Sequence, residues 1–112
     1  MKPVLVGFFV LAFVSPLSSA GQEKQTFTGV ITDDMCPLGD HSRMQMGPTD
    51  AECARACINA HGASYVLYDG KSAYVLSDQK TPERFAAQKV TVVGTLDAPT
   101  MTIHVESMAA IR

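Results

Sequence analysis

Residues 64–77, SYVLYDGKSAYVLS, decide the fold class. Two short runs of Tyr, Val and Leu flank Asp69-Gly70, a dipeptide that favours tight hairpins. The segment reads as a strand, a turn of three or four residues (DGK or DGKS) and a returning strand. Further strand patterns follow it. Residues 89–96, KVTVVGTL, form one, with Gly94 marking a bulge or a close backbone approach. In residues 101–108, Met101, Ile103 and Val105 share one side, while Thr102, His104 and Glu106 share the other. Between these strands, Thr81, Pro82 and Glu83 start a short helical turn that carries Phe85 to the core.

Upstream, residues 26–32, TFTGVIT, alternate as a first strand, with Phe27 and either Gly29 or Ile31 facing inward. Asp33 and Asp34 end it; as neighbours they face opposite ways and form no acid–base pair. A loop of about fourteen residues without a clean period follows, and loops of that length usually carry function. A helix then begins at Thr49, with Glu52 three residues on as a capping box requires, and Gly62 stops it. Five short strands, one helix after the first, and no crossover helices exclude a doubly wound parallel sheet. The expected fold is mainly β: a small five-stranded antiparallel OB-like barrel or curled sheet with one helix after the first strand, and an open α+β sandwich is the competitor.

The N-terminus reads as a secretory signal peptide over residues 1–20: Lys2, the uncharged run 4–14 (VLVGFFVLAFV), then small residues at Ser18 and Ala20. The run stops at Pro16, short of the roughly twenty residues a membrane span needs. Residues 21–112 are then a single domain with eight Lys/Arg and eleven Asp/Glu, a net charge of -3. That mild acidity offers no basic face for nucleic acid, and after leader removal no segment suggests membrane attachment. The expected location is periplasmic or secreted, where disulfides form.

Chemistry-bearing residues crowd into positions 36–61. The loop supplies Cys36, His41, Met44 and Met46; the helix supplies Cys53, Cys57 and His61 at four-residue spacing on one side. Thiolate, thioether and imidazole together suit a soft cation, above all Cu(I). His41, Met44 and Met46 form one ligand group that needs no thiol. Cys36, Cys53 and Cys57 with His41 or His61 form a second, Zn-like group. The alternative reading is a disulfide from Cys36 to Cys53 or Cys57, leaving one buried cysteine in a stapled interaction module. A third is a thiol redox protein using Cys53 or Cys57. His104 reads as exposed and Tyr65, Tyr68 and Tyr74 as packing residues. No Ser-His-acid, phosphate-loop, HExxH or CxxCH pattern assigns an enzymatic reaction.

Gly29, Ile31, Asp33 and Cys36, then Cys53, Cys57, Gly62, Ala63, Tyr65, Val66 and Leu67 resemble a group of short exported bacterial domains. These carry a Gly-x-Ile-x-Asp-x-x-Cys start, a later Cys pair and a Gly-Ala-x-Tyr-Val-Leu hairpin. The resemblance implies an OB-like fold and a bacterial exported setting. Met44-x-Met46 resembles methionine motifs of bacterial copper-handling proteins. The expected function is Cu(I) binding for storage, delivery or detoxification, with Zn as the other cofactor. The partners expected are the ion and another exported protein.

Overall fold

The Asp69-Gly70 hairpin forms as its residues dictate. In the computed structural model, which describes residues 23–42 and 47–111, β2 (Tyr65–Tyr68) and β3 (Ala73–Leu76) pair antiparallel. The Asp69 carboxylate accepts from the backbone N–H of Lys71 and Ser72, both at 2.8 Å, while Gly70 takes φ 101. These hydrogen bonds, from Ser72 first and then Lys71, hold the Asp69 carboxyl below its ordinary pKa. Its contribution to stability is therefore present above the ordinary carboxyl value and is lost as pH falls through the lowered one. We expect Asp69→Ala to cost about 1 kcal/mol at neutral pH. In thermal melts the gap from wild type should close as the pH drops below that range.

The remaining strands are β1 (Gln25–Asp33), β4 (Lys89–Asp97) and β5 (Thr102–Ala110), with α1 (Asp50–His61) between β1 and β2. All five strands join one mixed sheet whose order returns on itself, β1-β2-β3-β5-β4. Four of the pairings are antiparallel, but β3 and β5 run parallel, with Val75 opposite Thr102 and Leu76 opposite Ile103. This corrects the expectation of a wholly antiparallel sheet. The short 3-10 segment Thr81–Phe85 carries the chain from β3 to β4 without a direct hairpin. β4 then pairs with β1 and β5, so β5 returns alongside β3 in the same direction. Nothing in either local pattern encodes that long-range partner.

Gly94 sits at a register shift between Val93 and Gly94, the irregularity its position in the strand suggested. Ile31, Leu67, Leu76, Val90, Val92 and Ile103 fill the interior, with Ala54 from α1 and Tyr65 among them. Phe85 is half-buried against this core. The helix begins where Thr49 accepts a hydrogen bond from Glu52 N at 3.2 Å and ends at Gly62, which is left-handed and donates to Cys57 O. Its buried residues are Cys53, Ala54 and Cys57, so all its sealed surface is small or sulfur-bearing. Among the described residues no helix is long and apolar enough to cross a membrane. The expected leader at 1–20 lies outside the described residues.

Candidate metal centre

β1 places Ile31 in the core, and alternation sends Asp33 to the same side two residues later. Asp33 is therefore a carboxylate at 0% exposure, the last residue of a strand on which Ile31, Thr32 and Asp33 are all buried. The chain turns at once around it. Asp33 Oδ1 accepts from Met35 N and Cys36 N, each at 3.0 Å. On the other side of the strand, Thr32 Oγ1 donates to Cys36 O at 2.8 Å and lies 3.2 Å from His41 Nε2. One short turn thus draws Cys36 and His41, at 7% and 5% exposure, onto the end of β1.

The hydroxyl of Thr32 fixes the tautomer of His41. A carbonyl only accepts, so the single hydroxyl proton goes to Cys36 O. Nε2 of His41 must then donate to the hydroxyl, which leaves Nδ1 as the free ring atom. Nδ1 faces Asp33 Oδ2 at 3.8 Å. Among the described residues these two atoms are the buried side-chain polar atoms without a hydrogen-bond partner. At that distance a proton on Nδ1 makes no hydrogen bond. Two donors bonded to one tetrahedral Zn²⁺ at 2.0–2.1 Å are about 3.3–3.4 Å apart. The 3.8 Å gap is therefore nearer the spacing of a shared cation than that of a shared proton. Donor atoms of Asp33, Cys36 and His41 all lie within 4.8 Å of one another.

The other sulfurs stand close by. Burial, then the Asp33 charge, then Cys53 and Asp40 raise the Cys36 thiol. Cys57 is pushed up to about 11 by burial, with Asp33, Cys53 and Cys36 adding to it. Without a cation both remain protonated at neutral pH. That is the opposite of the electropositive setting in which a reactive thiolate forms, so the geometry gives no support to thiol redox chemistry. A bound cation would invert this and favour the thiolate. The expected bridge from Cys36 to Cys53 or Cys57 is absent: no disulfide joins the three buried cysteines. The loop is tied to β1 by the Asp33 and Thr32 hydrogen bonds, which do the work assigned to a staple.

The residues singled out from sequence thus part company. Cys36 and His41 meet, and Cys53 and Cys57 are buried next to them. His61 is exposed in the last turn. Helix rise puts it about 12 Å along the axis from Cys53, so a shared face does not make a shared site. Met44 and Met46 lie outside the described residues. His104 is exposed, and Tyr74 packs on Phe27 with ring centroids 5.7 Å apart. Asp33 was missed as a donor. Its signal was the spacing Asp-x-x-Cys, which lets one carboxylate oxygen bind the turn and leaves the other free. No protein-family model, curated protein or solved structure matches the chain.

Proposed function

We propose that this chain is an exported OB-like domain that binds one borderline-soft metal ion, Zn²⁺ by preference, through Asp33, Cys36 and His41. The observation that carries the reading is the facing pair of unpartnered buried atoms, Asp33 Oδ2 and His41 Nδ1, with a thiol beside them. A set of one oxygen, one sulfur and one nitrogen donor suits Zn²⁺. The returning strand order and its single parallel seam support the OB-like reading. The leader pattern at 1–20 supports export.

Cu(I) is the second reading, favoured by the proximity of Cys36, Cys53 and Cys57, which would supply sulfur alone. Titration of the reduced protein against competing chelators separates the two. For the Zn²⁺ site, one ion binds per chain, and Cys36→Ser and His41→Ala each weaken it at least about tenfold. His61→Ala changes nothing. For a Cu(I) site, His41→Ala leaves Cu(I) affinity intact, while Cys53→Ser or Cys57→Ser removes it. Equal Zn²⁺ affinity in wild type and His41→Ala would sink the first reading.

A further inference from the structure

Arg55 of α1 faces the segment Thr81–Phe85 across an open hollow of about 590 Å³, lined by Arg55, Lys80, Thr81, Glu83 and Arg84. The hollow shares no residue with the candidate metal centre. Three of the six Lys and Arg side chains among the described residues meet here, on a chain whose net charge over residues 21–112 is -3. Neutral partners hold two of them. Arg55 Nε donates to Glu83 O at 2.9 Å, and the Arg84 guanidinium lies over the Phe85 ring, 4.9 Å from its centroid. A carbonyl and an aromatic face position a guanidinium without cancelling its charge. Among the described residues the ion pairs are Lys24–Glu106 and the His41–Asp33 contact, so Arg55, Lys80 and Arg84 carry none. Glu83 is the single carboxylate on the lining, which leaves a surplus of two positive charges. The Asp78 carboxylate lies off the lining and serves the turn, accepting from Lys80 N at 2.9 Å, Thr81 N at 3.0 Å and the Thr81 hydroxyl.

A surplus of two charges suits a dianion. Guanidinium forks match phosphate oxygens in pairs, and an ammonium adds a point charge. A phosphomonoester carries about -1.5 to -2 at neutral pH, where a carboxylate carries a single charge. Small-molecule sites occupy roughly 300–1,000 Å³, so the hollow has room for the ester as well as its phosphoryl group. We propose that this hollow binds a phosphomonoester, with Arg55 and Arg84 bracketing the phosphoryl oxygens and Lys80 completing the charge. The ester is held intact, and binding is independent of the metal ion. The attraction is local, because the chain as a whole is acidic and repels anions at a distance.

The purified protein is titrated with glycerol 3-phosphate while its amide NMR spectrum is followed. The amides of Thr81, Glu83 and Arg84 and the Nε–H of Arg55 should shift saturably, and glycerol should move none of them. Lys80→Ala and Arg84→Ala, both at exposed positions, should each weaken binding about fivefold. Lys80→Glu combined with Arg84→Glu should abolish it. Lys71→Glu combined with Lys89→Glu changes the net charge equally at positions off the hollow, and should keep the affinity within about twofold. Asp33→Asn, which removes a proposed metal donor, should leave phosphomonoester affinity unchanged, so this proposal and the metal reading fail separately. Sedimentation with phosphatidylcholine vesicles containing phosphatidic acid separates two sources of the same group. Pelleting with these vesicles and not with phosphatidylcholine alone, lost in the Lys80→Glu/Arg84→Glu protein, assigns the hollow to a membrane headgroup. Saturable glycerol 3-phosphate binding without pelleting assigns it to a soluble ester. Neither saturable shifts nor pelleting would overturn the proposal. So would an equal loss of binding in the Lys71→Glu/Lys89→Glu protein, which would make the effect one of net charge.

Discussion

Asp33→Asn should make the metal-free protein more stable and cost it most of its metal affinity. In the wild type the carboxylate is fully buried, and Oδ2 faces the bare Nδ1 of His41. A buried carboxylate with one oxygen left unpartnered is costly, and two facing lone pairs add to that. Asparagine keeps the oxygen that accepts from Met35 N and Cys36 N. Its amide N–H₂ then points at His41 Nδ1 and can donate to it, so both orphaned atoms gain a partner after a small closure of the 3.8 Å gap. We expect a gain of about 1 kcal/mol, read as a rise in the melting midpoint of about 4–8 °C. Zn²⁺ affinity should fall at least about 100-fold, the upper end of what is lost when a residue that merely supports a ligand is removed. Asp33→Ala is the control. It removes the acceptor of the turn as well, so it should be less stable than wild type and equally unable to bind. A metal-free Asp33→Asn protein that melts below wild type would show that the carboxylate serves the fold rather than an ion.

Gly29→Ala and Gly94→Ala should each destabilise the sheet more than any surface substitution. A methyl on Gly29 would stand 2.3 Å from Tyr68 O and 2.8 Å from Tyr68 C. On Gly94 it would stand 2.2 Å from His104 O and 3.0 Å from His104 C. In both cases the obstacle is the backbone of a paired strand, which cannot rotate away as a side chain can. Relief requires breaking ladder hydrogen bonds or spreading β1 from β2, or β4 from β5. We expect a loss of about 3 kcal/mol each, a large share of a small domain's stability, and a drop in midpoint on the order of 10–20 °C. Denaturant melts of the two variants give the measurement. A loss below about 1 kcal/mol at either position would mean the strands part there at little cost.

How much of this was legible beforehand differs element by element. The hairpin, the helix with its Thr49 and Gly62 ends, and the irregularity at Gly94 are local matters, and short-range chemistry writes them into the chain. The parallel meeting of β3 and β5 is not local, because it depends on where β4 docks against β1. The site divides the same way. Sulfur and imidazole stand out by residue type, so Cys36 and His41 were visible. Asp33 looked like an ordinary strand terminator, because burial at 0% exposure is a property of the closed sheet and not of the residue. His61 shared a helical stripe with Cys53 and Cys57, but a stripe fixes direction and says nothing of reach along the axis. Thr32 offered no hint at all. Its part in setting the histidine tautomer exists only once the turn places a carbonyl and a ring nitrogen on one hydroxyl.

The parallel seam has a consequence for how the molecule breathes. In a ring ordered β1-β2-β3-β5-β4, the β3–β5 junction lies directly across from β1. That junction is the shortest ladder, running only from Val75 and Leu76 to Thr102 and Ile103. β1 is instead clasped along most of its length by β4, from Gln25 to Val30, and by β2, from Val30 to Asp33. Thermal fluctuations that open the ring will begin where the ladder is shortest. The rupture line and the Asp33 turn are thus on opposite walls. The domain can unzip and reseal at one side while the other keeps its donors in register.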